Sequence, residues 1–196
     1  MLSIVVLAAG KSTRMHGSNK LLTTIHGVPM IRKVIQATLE SKVDEVIVVL
    51  GWEAEKIHTA LHGLSCRTVV NTDYEVGQSS SVKAGLAEVN SSTNAVLILP
   101  GDVAMVDARS IDLVIERYHL EKRMIVIAGH EGKPGHPILF DRQLFPEIQR
   151  INEETFGLKA VVKKHEGEIC LVETGSSNVL RDIDTIEDLH ELSQEE

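Results

Sequence analysis

The chain has 196 residues, of which 43% are hydrophobic, 24% charged and only 3% aromatic. That length fits one domain, which should bury roughly 70% of the surface its unfolded chain exposes, so a core needs no metal or disulfide staples. With 20 Lys+Arg against 28 Asp+Glu the net charge is −8, the wrong sign for a polyanion binder, and duplex nucleic acid is excluded as a partner. Cys66 and Cys170 are far apart and match no CxxC or zinc-finger spacing, which excludes a disulfide scaffold and favours a reducing compartment. The apolar run Ile4 to Ala9 is too short to cross a membrane. It follows no basic segment and leads into a Gly/Ser/Arg loop, not a cleavage site. A soluble cytoplasmic protein, without membrane association, is expected.

In chain order, the first apolar run is Ile4 to Leu7, followed by Val46 to Leu50, Ala95 to Leu99 and Ile125 to Ile127. None of these alternates with polar residues, which is the pattern of strands buried on both faces. Between them lie stretches of helical period. Pro29, suited to a first helical position, precedes Ile31, Val34, Ile35, Thr38 and Leu39. Ile111, Val114, Ile115 and Tyr118 repeat the i, i+3, i+4, i+7 spacing. Strands alternating with helices predict βαβ units: a mostly parallel sheet in an α/β, Rossmann-like three-layer architecture. In the second half, Pro134-Gly135-His136-Pro137 interrupts this rhythm before Ile138-Leu139-Phe140, which predicts a strand at an edge or one of reversed direction. The polar stretch Arg150 to Thr155 separates two helical segments, and Ser193 to Glu196 reads as a frayed tail.

Ligands of open parallel sheets bind at the carboxyl ends of the strands, where three loops draw notice. The first runs from Leu7, Ala8, Ala9 and Gly10 through Lys11-Ser12-Thr13-Arg14-Met15 to Lys20. Small residues admit close backbone approach, successive N–H groups can cradle phosphate oxygens, and Arg14 and Lys20 can neutralise them. It is neither a Walker A loop nor GxGxxG, and a solvated turn with two surface cations reads equally well. The second loop, Asn71 to Val82, holds Gly77 and then Ser79-Ser80-Ser81 at a helix start. One of these serines is expected to cap the helix that carries Val82 and Leu86, and hydroxyls and amides are also available there to a ligand. The third, Pro100-Gly101-Asp102, places a hard oxygen ligand at a strand end, which suits Mg²⁺ or serves as a helix cap. His58 and His62 lack the glutamate of HExxH and belong on a helix surface, whereas His136 sits in a constrained turn. Trp52 and the scattered methionines read as packing, and no nucleophilic triad can be assembled.

Together these loops resemble the MobA-like NTP transferases. Leu7 to Met15 with Lys20 is similar to the family's LAAG-x-S-x-R-M…K motif, and Gly77 to Leu86 (GQSSSVKAGL) to its helix-opening segment. Leu99-Pro100-Gly101-Asp102 resembles its metal-binding aspartate loop, and Arg181 to Leu189 its closing DIDTPEDL. Gly135-His136-Pro137 resembles the GHP turn of the molybdenum cofactor cytidylyltransferase branch, and Ala8-Ala9-Gly10 stands where guanylate-transferring relatives read AGG. The resemblance spans nearly the whole chain as one domain, 1–196, with a nucleotide-binding half (1–110) and an acceptor-binding half (111–196). It implies transfer of CMP from CTP to molybdenum-bearing molybdopterin, with pyrophosphate released. Arg14 and Lys20 would then hold the triphosphate, Ser81 and the backbone at Ala8 and Ala9 the cytidine, and Asp102 with Asp184 the Mg²⁺. A molybdenum hydroxylase, or its accessory protein, is the implied partner. Three positions depart from the pattern: Ala104 and Ile186 replace prolines, and Glu154-Thr155-Phe156-Gly157-Leu158-Lys159 stands where that branch carries G-D-x-G-[AL]-R.

Such chemistry needs no general base, because a phosphate monoester with a second pKa of ~6 is already ionised. Other readings are transfer to another phosphorylated acceptor, such as a sugar phosphate or methylerythritol phosphate, and a non-catalytic carrier of molybdenum cofactor. A nicotinamide dehydrogenase is excluded by the absence of GxGxxG and by Leu50-Gly51-Trp52, which lacks the acidic ribose ligand after the second strand.

Overall fold

A computed structural model describes residues 1–12, 19–185 and 188. Among these residues nine strands and six α-helices follow in the order β1 (Leu2–Ala8), β2 (Thr24–Ile25), β3 (Val28–Pro29), α1 (Met30–Glu40), β4 (Glu45–Leu50), α2 (Ala54–Ala60), β5 (Arg67–Val70), α3 (Gln78–Glu88), β6 (Ala95–Pro100), α4 (Ala108–Glu121), β7 (Ile125–His130), β8 (Lys133–Asp141), α5 (Phe145–Ile148), α6 (Leu158–Lys164) and β9 (Ile169–Glu173). Seven strands form the main sheet in the order β5-β4-β1-β6-β8-β7-β9, and β2 and β3 pair separately as a small hairpin. All neighbours in the main sheet are parallel except those of β8, which runs against both β6 and β7. The expected architecture is therefore present, with its antiparallel strand in the second half.

The unbroken apolar runs are explained by burial on both faces. Within β1, Ile4 and Val6 face one layer and Val5 the other, all at zero exposure. On the first face Ile4, Val48 and Leu97 pack against Ile31, Val34 and Ile35 of α1 and Ile111 and Val114 of α4. On the second, Val5, Val49 and Ile98 meet Val82 and Leu86 of α3, with Phe140, Ile148 and Val161 closing the far end. Gly85 lets α3 settle on the sheet, since a Cβ there would lie 2.3 Å from Val5 Cγ1.

Two local expectations are corrected. Pro29 is not inside α1 but ends β3 and is the N-cap residue, so the helix begins at Met30. The strand carrying Ile138 to Phe140 does reverse direction, yet it lies in the interior of the sheet between β6 and β7. The reversal occurs before the proline-rich stretch, at Glu131 and Gly132, a two-residue hairpin loop with φ of 49° and 74°. Positive φ at both residues is what a type I′ turn requires, and its twist matches that of the flanking strands. Glu173 on β9 holds this turn, accepting the Glu131 and Gly132 N–H groups at 2.9 Å each. No helix among the described residues is long and apolar enough to cross a membrane.

Candidate active site

The carboxyl ends of β1, β4 and β6 lie side by side, and the loops that leave them interlock. The Gly101 N–H donates to Leu7 O at 2.9 Å, and the Trp52 N–H donates to Ala9 O at 3.2 Å. Gly51 is required for this closure: a Cβ on it would lie 2.7 Å from Ala9 and 2.8 Å from Tyr74. The glycine after β4 is thus a packing device. These loops frame a cleft of about 320 Å³.

Most of the residues singled out from the sequence line that cleft. Leu7, Ala9 and Gly10 from the first loop, Gly77 and Ser81 from the helix-opening loop, and Lys20, Asp102 and Asp184 all line it. Ala8 ends β1 fully buried and supplies no lining. Arg14, with Met15, lies outside the described residues, as do Ile186, Glu187, Leu189 and the tail Ser193 to Glu196. Ser12, the serine of the first-loop motif, and Tyr74, which carries no sequence signal of its own, also face the cleft.

Within the cleft Lys20 Nζ donates to Asp102 Oδ2 at 2.5 Å and to Asp184 Oδ1 at 2.7 Å. The backbone sets up this convergence, because the Ile183 N–H donates to Asp102 O at 3.0 Å and carries Asp184 across to the aspartate loop. Burial works against a charged Lys20, but the two carboxylates outweigh it and hold its pKa above the usual lysine value. Asp182, two residues earlier, faces away into a neighbouring pocket; burial and the nearby Asp102 and Asp184 charges push its pKa up to about 6. Asp102 Oδ1 is buried without a hydrogen-bond partner. A pair of carboxylates already gathered around a positive charge, with one oxygen unsatisfied, fits a hard divalent cation. No group of three or more metal-ligating side chains occurs among the described residues, so phosphate oxygens and water would complete such a shell.

The helix-opening wall differs from expectation. No serine caps α3: Gly77, at φ 130°, is the N-cap residue and has no side chain to offer. Glu153, from the loop after α5, takes the role by accepting the Ser79 N–H at 2.6 Å. The serines are held elsewhere. Asn71, 6% exposed, donates through Nδ2 to Ser80 Oγ at 2.8 Å and to Ser81 Oγ at 3.0 Å, which orients the Ser81 hydroxyl.

A second, larger cavity of about 590 Å³ adjoins the cleft and shares Gln78 and Pro100 with it. Its walls are mainly apolar, from Ile98, Ile127, Ile138, Leu158 and Val162, and its rim carries Lys159 and Lys163, one turn apart on α6. His136 lies in this cavity and not in the cleft, following a glycine that permits close packing: a Cβ on Gly135 would stand 2.1 Å from Val179 O. Burial lowers the His136 pKa, with Asp102 opposing, and its Nδ1 is buried without a partner. His58 is on the exposed surface of α2, as expected, while His62 lies just beyond the helix end.

Residues 4–169 match the MobA-like NTP transferase domain. Among curated relatives, the bifunctional protein GlmU of Listeria monocytogenes is 33% identical over 120 residues, or 61% of this chain and 26% of its own. The chain therefore spans well under half the length of that relative. Among solved structures, Rv0371c of Mycobacterium tuberculosis superposes with a TM-score of 0.82 at 27% identity, covering 97% of this chain and 96% of its own. The same protein, solved in complex with manganese, gives 0.79 at 25% identity over 100% and 99% of the two chains. A nucleotidyl transferase from Methanothermobacter gives 0.84 at 23% identity over 98% and 95%. Family, fold and the loops that meet at the cleft agree: the chain belongs to the MobA-like NTP transferase family.

Proposed function

We propose that the protein transfers CMP from CTP to the terminal phosphate of molybdenum-bearing molybdopterin and releases pyrophosphate. The observation that carries this reading is the junction of two unlike cavities beside Asp102: a polar cleft of nucleotide-binding type and an apolar pocket with one unsatisfied imidazole nitrogen. The choice of CTP rests on Ala8-Ala9-Gly10, and the choice of acceptor on the Gly135-His136-Pro137 turn and the apolar lining.

Under this reading residues before 110 hold the donor, and most of the acceptor pocket comes from residues after 111. The Ser81 hydroxyl and the backbone at Ala9 orient the cytidine, and Ala8, buried behind them, supports that backbone without touching the nucleotide. Lys20, and Arg14 outside the described residues, balance the triphosphate charge. His136 Nδ1 meets a polar edge of the acceptor. An ionised oxygen of the acceptor phosphate attacks the α-phosphorus; that P–O bond forms as the α–β bond breaks, and the electron pair leaves with pyrophosphate. Because the nucleophile is already ionised, the protein's task is alignment and charge neutralisation, and the lack of a general base is expected. Asp102 and Asp184 are the residues that would hold Mg²⁺, which supplies positive charge to the reacting phosphates. A sugar phosphate in the same pocket would set some of its hydroxyl groups against Ile98, Ile127, Ile138 and Leu158, and those not reached by the polar groups of the rim would cost binding energy. The dinucleotide product would pass to a molybdenum hydroxylase or its accessory protein.

Thermal unfolding with CTP, GTP, ATP or UTP, each with and without Mg²⁺, tests the donor assignment. A ligand at ~100 times its Kd adds about 2.7 kcal/mol of stability. CTP with Mg²⁺ is expected to raise the Tm most; a larger rise with GTP would overturn the choice of base.

A further inference from the structure

One residue lines three cavities at the carboxyl edge of the sheet. Gln78 lines the nucleotide cleft, the apolar pocket and a third hollow of about 240 Å³ beside them. It is exposed in the first turn of α3, and its carboxamide is bonded to none of the described residues. Its position depends on how that first turn is anchored. With no serine cap, the anchor is Glu153, which accepts the Ser79 N–H and lies so close over Gly77 that a Cβ there would fall 2.5 Å from its carboxylate. A carboxylate at a helix N-terminus is favoured by the exposed N–H groups and by the helix dipole.

Glu153 belongs to the other side of the site. Its segment is folded on itself, with the Phe156 N–H donating to Glu153 O at 3.1 Å and the Gly157 N–H to Asn152 O at 2.9 Å. Phe156 and Gly157 take left-handed φ values of 62° and 54°, and the chain then enters α6, whose Leu158, Lys159, Val162 and Lys163 line the apolar pocket. One carboxylate thus fastens the wall of one cavity to the helix that walls the other.

We propose that Gln78 contacts both substrates and determines their relative placement, and that Glu153 is a positioning residue that couples occupancy of the two cavities. The proposal rests on the reading of the cleft as the donor site and of the apolar pocket as the acceptor site. A nucleotide that engages Gln78 steadies the first turn of α3, and through Glu153 it steadies 152–164. By linkage, an acceptor resting on α6 must strengthen nucleotide binding by the same factor.

Hydrogen–deuterium exchange of the intact chain tests this without requiring a known acceptor. The probes are CTP, GTP, ATP and UTP with Mg²⁺, applied to wild type, Glu153→Ala, Glu153→Gln and Gln78→Ala, each first checked for a cooperative melt. In wild type, nucleotide is expected to slow exchange in 7–12 and 74–82, and also in 152–164, which supplies no residue to the cleft. In Glu153→Ala the cleft protection persists while that at 152–164 falls by about fivefold or more, the lower end of allosteric coupling. Glu153→Gln, whose amide oxygen still accepts the Ser79 N–H, restores it, and Gln78→Ala loses it. Where turnover is measured, Glu153→Ala raises the acceptor KM at saturating nucleotide and, by the same linkage, the nucleotide KM at saturating acceptor, while nucleotide binding without acceptor is unchanged. Cleft protection without protection of 152–164, or equal protection in Glu153→Ala, overturns the coupling and leaves the donor site standing. If no triphosphate protects the cleft, the donor-site reading fails and the proposal falls with it.

Discussion

Replacing Asp102 with alanine separates folding from chemistry more cleanly than any other change in the site. Lys20 and Asp102 are 14% and 20% exposed at their side chains, so their contact at 2.5 Å is a largely buried pair. Removing one member of such a pair costs about 3–5 kcal/mol when the survivor is left without a partner. Here it is not: Asp184 Oδ1 still accepts from Lys20 at 2.7 Å. The lost carboxylate also takes with it Asp102 Oδ1, a buried oxygen without a partner, which returns part of the cost. The net loss should be about 1–2 kcal/mol, below the range for an orphaned charge. For a chain of this size that is a Tm lower by roughly 2–8 °C, well short of unfolding it. Turnover should fall by about 10²–10³-fold or more, the range for removal of one electrostatic element aimed at the transition state. Melts of wild type and variant, with CTP alone and with CTP and Mg²⁺, give both quantities. The variant should keep a cooperative transition and lose the increment that Mg²⁺ adds. Wild-type turnover, or an undiminished Mg²⁺ increment, would refute the role assigned to Asp102.

Gly85→Ala should destabilise by about 1–3 kcal/mol in urea unfolding, since its methyl group would overlap Val5 Cγ1 and crowd Val49. Gly167→Ala, at a site with nothing within 4 Å, should stay within about 0.5 kcal/mol and serves as the control. Asn71→Ala removes the donors to Ser80 and Ser81 and should cost about 1–3 kcal/mol while weakening CTP binding, as read by titration. The Glu131 and Gly132 N–H groups hold the Glu173 carboxyl below the usual carboxylate pKa. Its stabilising contribution is therefore complete above ~4.3, the unfolded value, and is lost as pH falls through the lower folded pKa. Glu173→Gln should flatten that acid limb of the stability curve; an unchanged limb would show that the turn does not depend on the charge.

The central sheet was legible because β1, β4, β6 and β7 are buried on both faces and so carry unbroken apolar runs. The outer strands β5 and β9 were not, since their residues are largely exposed or half-buried and offer no such run. The reversal into β8 was traced to its prolines, although the physical cause is a two-residue turn with positive φ at Glu131 and Gly132. Within the site, Lys20, Asp102 and Ser81 stand in loops that directly follow strands or open a helix, where a sequence can be read locally. What escaped were pairings made through space. Glu153 caps a helix 74 residues away, and Asn71 orients the serines across a turn. The mistaken serine cap has the same origin: local spacing favours it, but a distant carboxylate occupies the helix end.

The central claim is tested most directly by mixing the protein with CTP, Mg²⁺ and molybdenum-bearing molybdopterin, following pyrophosphate release and weighing the product. The account predicts one pyrophosphate per acceptor consumed, and a product heavier than the acceptor by one cytidylyl group. Glucosamine phosphate and methylerythritol phosphate should give no comparable turnover. Efficient transfer to either of those, or tight acceptor binding with no pyrophosphate released, would contradict it.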